Sequence, residues 1–150
     1  LRRIVDEIPD CSEFDVFQMV LEPVIQSNPN NYSGLFSCYD LLARCGKKHS
    51  YKGYFDYHKL SFRYLLLRNI RGLKNSGSTG FYVEILGRPD TCSKCKHLEG
   101  KVYKSEDILE EMPIPNEDCT RDSMCCSTFL VMTERRFLRS TEDRSTDYRP

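Results

Sequence analysis

No stretch of this 150-residue chain approaches the ~18 consecutive apolar residues of a membrane span, so a membrane is not expected among its partners. No charged-then-apolar leader opens the sequence, and the first residue is Leu1 rather than Met; neither feature fixes the compartment. Internal repeats are missing, which excludes solenoids and similar arrays. No glycine-rich loop of the phosphate-cradling kind is present, and His49, His58 and His97 lack an evident nucleophile partner. These absences argue against an enzyme. Net charge is also missing, since 22 Lys and Arg balance 22 Asp and Glu.

That zero conceals a split. Residues 1–42 carry a balance of −5, residues 43–74 a balance of +8, and the remainder −3. A basic centre between acidic flanks says more about partners than the overall charge does. Length alone allows one domain, or a helical part joined to a small metal module.

The first half reads as helical. Ser12-Glu13-Phe14-Asp15 resembles a capping box, and Phe14, Phe17, Leu21 and Val24 follow at helical spacing. Pro23 is expected to kink or shorten this helix, and Ser27-Asn28-Pro29-Asn30 to end it. A second helix is expected from about Ser33, with Leu35, Tyr39, Leu42 and Cys45 on its buried side and Gly46 as its C-terminal cap. Cys38 and Cys45, seven apart, read as core filler.

A third helix spans roughly 54–74. Phe62, Leu65, Leu66, Ile70 and Leu73 form its apolar arc, and Lys59, Arg63, Arg71 and Lys74 an adjoining basic one. Tyr51, Tyr54, Tyr57 and Tyr64 are interleaved with the basic residues. Cations neutralise phosphates and rings stack on unpaired bases, so this segment is the candidate nucleic-acid surface. The competing reading is a solvated face that pairs with the acidic N-terminal region.

After Asn75-Ser76-Gly77-Ser78 the character changes. Strands are expected over Phe81–Leu86, Lys101–Tyr103 and Thr128–Met132, with a helical turn from about Ser105. The polar stretch after Arg139 reads as disordered.

Five of the eight cysteines, Cys92, Cys95, Cys119, Cys125 and Cys126, fall within 35 residues. Cys92-Ser93-Lys94-Cys95 places two thiols on one turn, and Cys119 with Cys125 or Cys126 supplies a second pair. Zinc takes four N or S ligands in a tetrahedron, and two such turns provide them. Adjacent residues of an extended chain point to opposite sides, so one of Cys125 and Cys126 closes the site. Cys125 is the expected ligand, with Cys126 and His97 as alternatives. Four thiolates would leave no position for substrate. A secreted disulfide framework and a thioredoxin-like redox pair are the competing readings of these cysteines.

The run Asp90-Thr91-Cys92-Ser93-Lys94-Cys95, then Leu98-Glu99-Gly100-Lys101-Val102-Tyr103, then Pro113-Ile114-Pro115-Asn116 before Cys119 resembles a known pattern. It is similar to the C-terminal segment of phage Mu F-like head morphogenesis (minor head) proteins and of related uncharacterised bacterial zinc-binding proteins. The resemblance covers about 40 of the 150 residues. It implies a metal-binding element and a mobile-element origin, and it extends no head-assembly role to the helical half. Two departures stand out: Asn116 occupies a position where that family usually has histidine, and Cys125-Cys126 replaces a closing Cys-Arg-Cys.

The expectation is an α+β protein: a helical region over 1–78, a zinc-stapled β-rich module over 79–138, and a polar tail over 139–150. Its expected function is non-enzymatic zinc binding with recognition of a partner, either nucleic acid or a phage assembly component, in the cytoplasm or associated with a virion. The competing class is an enzyme acting on nucleic acid through a site its sequence does not reveal.

Overall fold

The computed structural model describes residues 12–120 and 127–146. Helix α1 (Glu13–Ser27) starts on the anticipated capping box: the Ser12 hydroxyl accepts from the Asp15 amide at 3.2 Å, and Asp15 Oδ2 accepts from the Ser12 amide at 2.8 Å. The helix continues through Pro23 to Ser27. Pro23 lies on the exposed side, where water can satisfy the carbonyl one turn back that loses its amide partner. Val24 is also exposed, at 46%, and Ile25 takes its expected place against the core.

Helix α2 (Tyr32–Lys48) opens on Asn31, whose side-chain oxygen accepts from the Gly34 amide at 3.1 Å. It passes Gly46 and ends at His49. Gly46 is therefore not a cap. It is a buried helical position where an added Cβ would sit 2.9 Å from Tyr54 Cβ and 3.2 Å from Phe14 Cε2. Small size, not backbone freedom, is what this position requires. Leu35, Leu42 and Cys45 are buried as their spacing suggests.

Helix α3 spans Tyr54–Lys74. The chain divides into two compact units, Leu1–Leu65 and Leu66–Pro150, and the division falls inside α3. In the first unit Phe14, Leu42 and Cys45 form a core on which Phe17, Leu21, Ile25, Tyr39 and Tyr57 pack.

The second unit is built on a three-stranded antiparallel sheet of order β2-β1-β3, with β1 Phe81–Gly87, β2 Val102–Lys104 and β3 Ser127–Thr133. The β1–β3 register runs from Phe81 opposite Thr133 to Gly87 opposite Ser127. Val83, Ile85 and Phe129 are buried on one face, following strand alternation. Tyr82 and Met132 pair on the other face. There Tyr82 stacks on Phe137 of helix α6 (Glu134–Thr146), with ring centroids 4.2 Å apart. Residues expected to be a structureless tail thus continue this helix to Thr146. Its apolar Phe137 anchors an otherwise charged segment to the sheet. Between β1 and β3 come a single turn, α4 (Ser93–Lys96), and α5 (Ser105–Glu111), which buries Ile108. Helices joined to a small antiparallel sheet make the chain α+β.

Candidate metal centre

Cys92, Cys95 and Cys119 of the second unit are placed by hydrogen bonds in the segments that carry them. After β1, the Thr91 hydroxyl donates to the Arg88 carbonyl at 2.7 Å and closes a turn. Cys92 follows as the extended N-cap of α4, and its carbonyl accepts from the Cys95 and Lys96 amides, both at 3.0 Å. This tight turn aims both thiols the same way. Gly100, at φ 75°, then lets the chain reverse, and its amide donates to the Ile85 carbonyl at 2.9 Å. The Cys92–Cys95 turn is thereby fixed to the end of β1.

Cys119 arrives from the other side. Its amide donates to the Asn116 carbonyl at 3.1 Å. The Asn116 side chain reaches across, donating from Nδ2 to the Lys94 carbonyl at 2.8 Å while its Oδ1 accepts from the Asp118 amide at 3.0 Å. Ile114, buried at 1% exposure, seats this segment in the core.

As a result the sulfurs of Cys92, Cys95 and Cys119 all lie within 4.8 Å of one another. Cys95 is fully buried and the other two half-buried. The Cys92 and Cys119 sulfurs are 3.9 Å apart, far beyond the ~2.05 Å of a disulfide. A tetrahedral zinc with sulfur distances of about 2.3 Å sets neighbouring sulfurs about 3.8 Å apart. The Cys92–Cys119 spacing therefore fits two corners of such a site, and the Cys95 sulfur lies within 4.8 Å of both. Cys125 and Cys126, the expected closing pair, lie outside the described residues. His97 caps the end of α4 with an exposed side chain and is not part of the three-sulfur cluster.

The basic residues divide between the two units. In the first, Lys59 is half-buried with its ammonium 5.0 Å from the Phe55 ring centroid, and Arg63 is exposed. In the second, Arg71 and Lys74 are exposed, and Lys74 lies 6.0 Å from the Phe81 ring centroid. Also in the first unit, Lys48 Nζ sits 2.9 Å from Glu13 and Arg44 Nε 2.9 Å from Asp40.

All four interleaved tyrosines are engaged with other rings in the first unit, Tyr54 edge-on to Phe55 at 6.4 Å. Tyr64 stacks on Tyr39 at 5.4 Å, and Tyr57 lies between Tyr39 and Tyr51 at 6.3 and 6.2 Å. Tyr51 in turn covers Phe14 at 4.4 Å. These rings pack the helical core, which limits what they offer to unpaired bases.

Asn116 is the residue whose part in the centre its sequence did not disclose, although its place just before Cys119 in a Pro-rich turn was visible. Arg135, Arg136 and Arg139 of α6, which with Thr133 line one concavity, also went unassigned because no helix was expected after the strand ending at Met132. The groove beside Arg68 and Asn69 is lined mainly by Leu73 and the Phe129–Val131 strand, with no acid, histidine or thiol among its described lining residues. No described helix is long and apolar enough to cross a membrane. Comparison with protein families, curated proteins and solved structures gives no match to this chain.

Proposed function

We propose that this chain is a non-enzymatic zinc-binding protein that recognises nucleic acid. Zinc holds together the two loops that cross the end of the sheet, and basic side chains of the same unit take the phosphates. The observation that carries the reading is the convergence of the Cys92, Cys95 and Cys119 sulfurs within 4.8 Å of one another, with the Cys92–Cys119 pair at 3.9 Å. A fourth protein ligand, expected from Cys125, makes the ion structural. Thiolate ligation suits a reducing compartment, cytoplasmic or phage-associated.

Exposed cations and an open, acid-free groove support recognition over catalysis. Arg71 and Lys74 on α3, with Arg135, Arg136 and Arg139 on α6, give the second unit a basic surface. The stacked tyrosines favour contacts to phosphates over base stacking. The partner is then bound through its backbone with little sequence preference.

The test has two readouts. Protein purified without added metal should contain zinc that Cys95→Ser loses. Binding to single- and double-stranded DNA at ~50 mM salt should weaken as salt rises, each neutralised phosphate contributing about −0.9 (duplex) or −0.7 (single strand) to the slope of log K. Replacing Arg71 and Lys74 with Ala should flatten that slope and leave the fold intact. No binding to either form at ~50 mM salt would overturn the nucleic-acid reading and favour a protein partner, such as a phage assembly component.

A further inference from the structure

The start of α1 and the end of α2 bring together three side chains that the zinc reading does not use. Glu13 lies in the first turn of α1, and Cys45 and His49 lie four apart at the end of α2, on one helix face. A Glu13 carboxylate oxygen, the Cys45 sulfur and a His49 ring nitrogen all fall within 4.8 Å of one another. Glu13 Oε2 is 3.2 Å from His49 Nε2. Cys45 is only 7% exposed, at the edge of the Phe14–Leu42 core, while His49 and Glu13 close the cluster from the solvent side.

Helix packing and ion pairing account for part of this arrangement. Glu13 also accepts from Lys48 at 2.9 Å, and its carboxyl is held below the usual range by the Lys48 and His49 contacts. Pairing alone gives no role to the thiol. An exposed Glu–Lys pair contributes little, whereas a thiol, an imidazole and a carboxylate converging from two helices are a donor set for borderline-soft divalent ions. Around a tetrahedral ion with N and O distances of about 2.0–2.1 Å, those two donors stand about 3.4 Å apart. The Glu13–His49 separation is already close to that. The Cys45 sulfur lies within 4.8 Å of both donors.

We infer that Glu13, Cys45 and His49 form a second metal site, separate from the sulfur cluster, for a zinc-class divalent ion. It supplies three protein donors and leaves one position open to water or an external ligand, unlike a closed four-thiolate site. Lys48 competes with the ion for Glu13.

Titration of the reduced, metal-free full chain with cobalt(II) and then zinc tests this, comparing wild type with His49→Ala. His49 lies at the surface, so this replacement leaves the helices in place, as far-ultraviolet circular dichroism would verify. The expected result is one fewer equivalent bound by His49→Ala than by wild type. Lys48→Met should tighten that equivalent several-fold, because the competing ammonium is gone, and Cys45→Ser should remove its sulfur-to-cobalt absorption. Equal stoichiometry in wild type and His49→Ala overturns the inference. The difference is independent of the sulfur cluster: were Cys92, Cys95 and Cys119 to bind nothing, wild type would still hold one ion and His49→Ala none.

Discussion

The Asn116 side-chain amide donates to the Lys94 carbonyl at 2.8 Å, joining the turn that carries Cys92 and Cys95 to the segment that carries Cys119. Because its Oδ1 also accepts from the Asp118 amide, Asn116 fixes both loops at once. The residue contributes no sulfur, yet it sets how near the third thiol comes to the first two.

Asn116→Ala should therefore weaken zinc binding while retaining its stoichiometry. Loss of a partner that orients metal ligands typically costs 10–100-fold in affinity, and about 10-fold is expected for this half-exposed site. Competition with a chromophoric chelator measures it. An unchanged zinc affinity would mean that the loops meet without the amide.

The fourth ligand can be identified by a paired replacement. Cys125→Ser should lose zinc and Cys126→Ser should keep it, read as metal content after dialysis. The opposite pattern would transfer the role to Cys126. Loss in both would indicate a strained or shared site.

The start of α1 and the span of α3 were legible because local chemistry decides them: Ser12 and Asp15 cap α1, and the apolar period of α3 fits its observed span from Tyr54 to Lys74. Cys92 and Cys95 were legible as a pair because their turn is local. What a linear reading could not supply was tertiary. Gly46 looks like a helix terminus until Tyr54 and Phe14 are seen pressing on it. Tyr39 and Tyr64 are 25 positions apart, and only folding stacks their rings with an interplanar angle of 4°. The charged stretch after Arg139 shows too little apolar period to suggest a helix, and Phe137 on Tyr82 is the contact that anchors it.

Gly46→Ala tests the close approach of the helices. In an exposed helix the change would stabilise by about 1 kcal/mol. Here the new methyl would meet Tyr54 Cβ at 2.9 Å, a contact with a helix-borne atom that cannot rotate away. Overpacking of this kind costs about 1–3 kcal/mol, so a net loss of stability is expected in chemical denaturation. A stabilised variant would show that the first unit relaxes readily around this position.

His58 gives the protein a pH dependence whose sign follows from burial. The residue is 1% exposed, and its Nε2 has no hydrogen-bond partner. Phe62 and Phe55 stand edge-on to the ring at 5.1 and 6.2 Å. Burial pushes the imidazole pKa down to about 4; Lys47 and Arg44 add to the shift and Asp40 opposes it. In the unfolded chain the ring titrates near 6.5. Above that pH it is neutral in both states and contributes no pH dependence. As pH falls from about 6.5 to about 4, the unfolded chain takes up the proton and the folded chain does not, so stability falls through this window. Below about 4 both states are protonated and the term levels off. The difference of about 2.5 pKa units corresponds to roughly 3 kcal/mol. Urea denaturation at pH 7.0, 5.5 and 4.5 should show the midpoint falling in wild type. His58→Leu removes the titrating group and should flatten that part of the decline, leaving the carboxylate contribution common to both proteins. If the two lose stability in parallel between pH 7.0 and 4.5, His58 is not neutral in the folded core.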